Sequence, residues 1–188
     1  MEPAERRVSE RLEMIKIKPN RVFIIGTMGS GKTTLAKSIA NKLGIKHNSL
    51  DDIYWTRKYT KKRSPEKRER LVKKIIKNKK WVIEGVFQSW VGEIAKKADL
   101  IIWLNLHPRR LTWNIIKRYI KNSLSGKEKE RGTLWDNYKI IVHARKYRTG
   151  IHKNSYRGHK LLTVKYKSKR VQIRGLKQLS ILLKRLYN

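Results

Sequence analysis

The sequence contains no cysteine, which excludes disulfides and thiolate metal sites and fits a reducing interior. No apolar run approaches the ~20 residues that a membrane-spanning helix needs. The opening stretch, MEPAERRVSERLEMIKIKPN, alternates charges and lacks an apolar signal region, so the chain is read as intracellular and cytoplasmic. Within it, Val8, Leu12 and Ile15 fall at helical spacing, which predicts a short amphipathic helix before Pro19. Neither an internal repeat nor a low-complexity tract is visible.

Acid is the other scarcity. Against 48 Lys and Arg stand 14 Asp and Glu, a net charge of +34, and residues 137–188 carry fifteen Lys or Arg and no acid. Ion-pair networks of the heat-adapted kind would need matching glutamates, so they explain the excess poorly. A field of this sign draws polyanions and anionic substrates alike, while a lysine-rich solvated surface is the bland alternative. The 188 residues, 39% hydrophobic, are enough for one domain with a real core and one inserted subdomain.

What is present alternates between apolar runs and amphipathic segments. Strands are predicted at 21–26, 45–52, 80–87, 99–106 and 160–167, from RVFIIG, IKHNSLDD, KWVIEGVF, DLIIWLNL and KLLTVKYK. Helices are predicted from Lys32 to Leu43 with Gly44 as the stop, from Ser64 and Pro65 onward, and around 89–97. A long helix should run from Pro108 to Leu124, with Leu111, Ile115, Ile116, Tyr119 and Ile120 on its apolar side. Further helices are expected over Leu134–Tyr147 and Leu176–Tyr187. Basic or polar stretches at 55–64, 125–132 and 148–159 read as loops. Strands alternating with helices call for an α/β fold, a parallel sheet covered on both faces. Ligands in such sheets sit beyond the carboxyl ends of the strands. Gly26–Thr33, Glu84-Gly85 and the Leu106–Arg110 corner all lie there.

The first of these reads Gly26-Thr27-Met28-Gly29-Ser30-Gly31-Lys32-Thr33, followed by Thr34. With side chains nearly absent, successive backbone N–H groups can converge on phosphate oxygens, and the next helix points its positive end at the same place. Lys32 can reach the outer phosphates of ATP, and the Thr33 hydroxyl can ligate magnesium. A β-branched strand before the pattern and a helix after it supply the context it requires.

Three more segments, LDDIYW (50–55), WVIEGVF (81–87) and IIWLNLHPRR (101–110), join the loop. Together they resemble the P-loop kinases of the nucleoside-monophosphate-kinase type, closest to the adenylate-kinase-related group called topology-modulation proteins. The resemblance implies a three-layer P-loop NTPase sandwich with sheet order 2-3-1-4-5 and a helical lid insertion. It implies one domain over 1–188, with an extension at 1–20, an acceptor-side segment at 55–80 and a basic lid-like region at 121–158. By the same resemblance Asp51 faces the acceptor and Glu84 helps hold magnesium through water. Arg109 and Arg110 stand where the lid begins, with Arg118 two turns on. Gly85 is followed here by Val86-Phe87-Gln88 instead of the family's Pro-Arg, which removes the arginine that would indicate AMP as acceptor.

Each residue has a rival reading. Asp51 or Asp52 could cap the next segment, and Arg109, Arg110 and Arg118 could be surface residues. Arg145 and Arg148 are either lid arginines or part of a solvated helix face. Glu84, among apolar residues, is costly to bury without a partner, which favours the functional reading. Trp81, Trp103 and Trp113 read as core, and Trp55 and Trp90 as stacking candidates on the acceptor side. His107, His143 and His152 show no metal-ligand spacing. The expected activity is magnesium- and ATP-dependent phosphoryl transfer to a small phosphate or hydroxyl acceptor, with no membrane partner. The alternative is an activity linked to DNA or RNA, either a polynucleotide kinase or a binding protein that uses ATP as a gate.

Overall fold

A computed structural model of the chain describes residues 10, 19–57, 60–87, 89–126, 133–150 and 154–187. In chain order its elements begin with β1 (Arg21–Gly26), α1 (Lys32–Leu43), β2 (His47–Ser49), α2 (Leu50–Tyr54), β3 (Trp55–Arg57) and β4 (Lys61–Lys62). Then come α3 (Pro65–Ile76), β5 (Trp81–Gly85), α4 (Gly92–Lys97), β6 (Leu100–Leu104) and α5 (Pro108–Leu124). The remainder is α6 (Leu134–Arg145), α7 (Tyr156–Val164), β7 (Arg170–Ile173) and α8 (Leu176–Tyr187).

Five parallel strands form the sheet, in the order β2-β5-β1-β6-β7. With the hairpin strands β3 and β4 set aside, this is the expected 2-3-1-4-5. Alternate residues of the central strands bury in opposite directions, as a period of two dictates. Val22, Ile24, Leu100 and Ile102 meet Leu35, Ile39, Leu111 and Leu182 on the side of α1, α5 and α8. Phe23, Ile25, Ile101 and Trp103 meet Leu50, Val72, Ile94 and Leu162 on the side of α2, α3, α4 and α7. Both faces are therefore covered, which explains the uninterrupted apolar runs. No described helix is long and apolar enough to cross a membrane.

Several expectations need correction. The strand read over 45–52 spans only His47–Ser49, because Ser49 accepts a hydrogen bond from the Asp51 amide at 3.3 Å and turns the chain into α2. Asp51 and Asp52 then sit in the first turn, where a helix dipole favours acids. The loop read over 55–64 is the antiparallel β3–β4 hairpin. Arg63 closes it by donating from Nη1 to the carbonyls of Asp52, Ile53 and Trp55 at 2.9, 3.1 and 2.9 Å.

The largest difference lies after Tyr147. The end of the predicted loop (148–159) and most of the predicted strand (160–167) give way to α7, which Ser155 starts by accepting from the Gly158 amide at 3.4 Å. The buried positions Gly158, His159, Leu162 and Thr163 follow a helical spacing. The last strand is β7 instead, with Val171 and Ile173 turned into the core. Trp113, expected in the core, is 55% exposed, because it lies roughly 200° around α5 from the buried Leu111. Ile116 and Ile120 are also partly exposed. The expected helix around Val8, Leu12 and Ile15 lies outside the described residues, as does most of 125–132.

One polar chain runs through the core. The Trp103 indole N–H donates to the Tyr147 hydroxyl at 3.1 Å, and that hydroxyl is 2.7 Å from His159 Nδ1. His159 Nε2 is 2.7 Å from the Val86 carbonyl. A carbonyl only accepts, so Nε2 carries the proton and Nδ1 accepts from Tyr147. Burial pushes the Tyr147 phenol well above its ordinary value. Tyr147→Phe strands both neighbouring nitrogens inside the core, each worth about 1–3 kcal/mol. Urea denaturation should show a loss of about 2–6 kcal/mol; a loss below ~0.5 kcal/mol would mean the chain of bonds contributes little.

Candidate active site

The loop from Gly26 to Gly31 depends on glycine at two kinds of position. Gly29 has φ +73°, and a Cβ there would sit 2.7 Å from the Leu111 carbonyl and 2.9 Å from Ile115. Gly31 has φ +85° and forms the N-cap of α1. Only glycine adopts these angles cheaply. With no side chain at its cap, α1 leaves its first amides without a side-chain partner. Helices α2, α3, α5, α6 and α7 are instead capped by Ser49, Ser64, His107, Thr133 and Ser155. Asn114 donates from Nδ2 to the Gly29 carbonyl at 2.8 Å and fixes the loop against α5.

Lys32 is 8% exposed. Its ammonium donates to the Thr27 carbonyl at 3.0 Å. Burial pulls its pKa below the ordinary 10.5, while the negative fields of Glu84 and Asp51 work the other way and Arg118 adds to the lowering. Three elements thus converge on one cation: β5 supplies Glu84, α2 supplies Asp51 and α5 supplies Arg118. The register explains how. Glu84 pairs with Ile24 on one side and Ser49 on the other, placing it at the carboxyl end of the sheet beside the loop. The Thr33 hydroxyl donates to Glu84 Oε1 at 3.1 Å, and Glu84 is 2% exposed.

The remaining predicted residues are distributed unevenly. Thr27 and Ser30 are buried, and the Ser30 hydroxyl, enclosed beside Gly26, has no hydrogen-bond partner. Met28, Thr33 and Thr34 reach solvent. Arg109 and Arg110 are exposed in the first turn of α5. Arg109 shares the outward face with Trp113 and Ile116, four and seven residues on, whereas Arg110 lies toward Asn114 and Arg118. Arg145 and Arg148 are exposed. Asp51 and Asp52 line an open recess of about 250 Å³ with Trp55, Thr56 and Arg63.

Trp90 lies in a ring cluster on the same side. The Tyr54 ring stacks on Phe87 at 4.6 Å and on Trp90 at 6.4 Å, with the Arg68 guanidinium 4.9 Å from its centroid. Trp55 meets Tyr54 edge-on at 4.8 Å.

Sequence reasoning missed His47, Arg63 and Asn114. His47 Nε2 is 3.8 Å from Glu84 Oε1, and its place at the head of β2, one strand from Glu84, was the available signal. Asn114 falls three residues after Leu111 on the helix face that meets the loop, a spacing that was legible.

Fold and loop together define an α/β P-loop NTPase domain. The sequence pattern described as AAA domain matches residues 22–136, more than half of the chain, and the chain belongs to that family. It is 31% identical over 137 residues to YqaC of Bacillus subtilis (strain 168), an uncharacterised protein, covering 66% of this chain and 77% of that one. It is 30% identical over 146 residues to the cytidylate kinase of Archaeoglobus fulgidus, covering 65% and 78%. The fold is similar to that of shikimate kinase from Bacteroides thetaiotaomicron, with TM-score 0.51, 18% identity and coverage of 88% and 96%.

The Lys32 shift has a pH consequence. The unfolded chain holds that proton more tightly than the folded one, so folding stability rises as pH climbs from the lowered value toward 10.5. Chemical denaturation of wild type and Lys32→Met between pH 8 and 10.5 should show this extra gain in wild type alone. Parallel curves would contradict the assignment.

Proposed function

We propose that the chain is a magnesium-dependent phosphotransferase that moves the γ-phosphoryl group of ATP to a small acceptor. Its type is that of a nucleoside-monophosphate kinase of the topology-modulation group. The observation that carries this reading is the pairing of an uncapped α1 with Lys32 and with the Thr33–Glu84 contact. A buried ammonium and a helix start with no side-chain cap are a poor arrangement for an empty fold and a good one for phosphate. A family relative named cytidylate kinase supports it.

The residues fit both ligands. Gly26, Thr27, Met28, Gly29, Ser30, Gly31, Lys32, Thr33 and Thr34 would hold the triphosphate, chiefly through main-chain amides. Thr33 and Glu84 would hold magnesium directly and through water. Among the described residues no group of three or more His, Asp or Glu could hold a metal alone, and a magnesium bound largely by phosphate and water needs none. When bound, the ion spreads charge over the β- and γ-phosphates.

In the reaction an acceptor oxygen bonds to the γ-phosphorus while the bond to the β–γ bridging oxygen breaks, and ADP leaves. Lys32 neutralises the charge that moves onto the leaving group. A phosphate acceptor gives up no proton that needs a strong base; a hydroxyl acceptor would pass its proton to Asp51. We assign 55–80 to the acceptor side and 121–158 to a basic lid. Arg110 and Arg118 fit the triphosphate side better than Arg109, and closure of the lid would bring a further arginine, Arg148, toward it.

ADP release measured with ATP, magnesium and a panel of nucleoside monophosphates and hydroxyl acceptors tests this. Lys32→Ala should lower the rate at least about a hundredfold while the circular dichroism spectrum is kept; an unchanged rate would remove the proposal. Asp51→Asn should spare transfer to a phosphate acceptor and abolish transfer to a hydroxyl. Equal loss with both would take Asp51 out of proton transfer.

A further inference from the structure

Within the basic segment 121–158, one exposed face of α6 carries aromatic rings to which the phosphotransferase reading gives no role. On α6 the rings of Trp135 and Tyr138 stack on each other at 5.3 Å with planes 19° apart. They remain 62% and 55% exposed. Lys139 Nζ lies 5.5 Å from the Trp135 ring centroid. Trp135, Tyr138 and Lys139 are spaced i, i+3, i+4, so they share one side of the helix, and Arg145 and Lys146 continue it seven residues after Tyr138 and Lys139. The latter two are exposed. The only acid in α6, Asp136, is engaged at its start: its carboxylate accepts from the Thr133 amide at 3.0 Å and the Thr133 hydroxyl at 2.7 Å. Beyond it the sequence has no acid to its end.

We propose that this face binds single-stranded nucleic acid, with unpaired bases stacking on Trp135 and Tyr138 while Lys139, Arg145 and Lys146 neutralise backbone phosphates. Charge complementarity selects the partner. A second copy, also at +34, would be repelled. A helix lying on a membrane separates its apolar side from its cationic side, whereas here Lys139 stands over the ring itself. Aromatic rings this exposed suit bases that are not already paired. Trp55 and Trp90 are poorer platforms, because both are half-buried, whereas Trp135 and Tyr138 are mostly exposed.

The test is fluorescence anisotropy of the full chain with a labelled 15-nucleotide oligouridylate across a potassium chloride series. The same sequence as a duplex with oligoadenylate, and vesicles containing phosphatidylserine, serve as comparisons. Trp135→Ala/Tyr138→Ala should weaken single-strand binding about tenfold or more, with the salt slope and the melting temperature unchanged. Lys139→Gln/Lys146→Gln should make the log–log salt slope shallower by about 1.4, at roughly 0.7 per lost phosphate contact. Lys32→Ala should bind the oligonucleotide as wild type does, so failure of the phosphotransferase reading and failure of this one give separate signatures. Unchanged affinity in the Trp135/Tyr138 variant, equal affinity for the duplex, or a preference for the vesicles would each overturn the proposal.

Discussion

Burying the Lys32 ammonium is the constraint on which the site depends. In a chain that carries 48 cationic side chains, nearly all can stay in water, and this one does not. It lies against the Thr27 carbonyl, in the negative field of Glu84 and Asp51. Desolvation outweighs that field, since the pKa falls. The cation is therefore held short of full compensation, a condition that a polyanion entering the loop would relieve. Glycine at positions 29 and 31, the tie from Asn114 and the sheet register of Glu84 all serve to keep this cation in place.

The same geometry gives meaning to helix capping. Most of the described helices begin with a side-chain oxygen or nitrogen that takes up an orphan amide, and α1 begins with Gly31. An uncapped start is a cost to the empty protein and a donor set for a ligand. The Thr33–Glu84 hydrogen bond occupies the hydroxyl and one carboxylate oxygen in the meantime, so a metal arriving there would exchange that bond for coordination. On the proposed reading, stability and function are in tension at this corner.

The sheet was legible because its inner strands are buried on both faces. Val22 to Ile25 and Ile101 to Trp103 admit no polar residue, and the loop pattern between Gly26 and Thr33 carries its own backbone chemistry. The C-terminal third was less legible for a physical reason. KLLTVKYK offers apolar residues that suit a short strand, yet Leu162 and Thr163 bury one helical turn after Gly158 and His159, and only the tertiary contact from His159 to Val86 reveals it. Asp51 was placed on a strand, whereas it lies in the first turn of α2, because the Ser49 cap that starts this helix was overlooked. Trp113 shows the limit of composition: a tryptophan on an amphipathic helix is core only if its angle agrees. Interactions distant in sequence, such as the field of Arg118 at Lys32 and the approach of His47 to Glu84, carry no local signature.

Phosphate recognition by the main chain is the central claim, and calorimetric titration of the full chain with ATP, ADP and adenosine in the presence of magnesium tests it most directly. Both nucleotides should bind, inorganic tripolyphosphate should compete with them, and adenosine should give no measurable heat. Adenosine binding as tightly as ATP, with tripolyphosphate unable to displace the nucleotide, would contradict it.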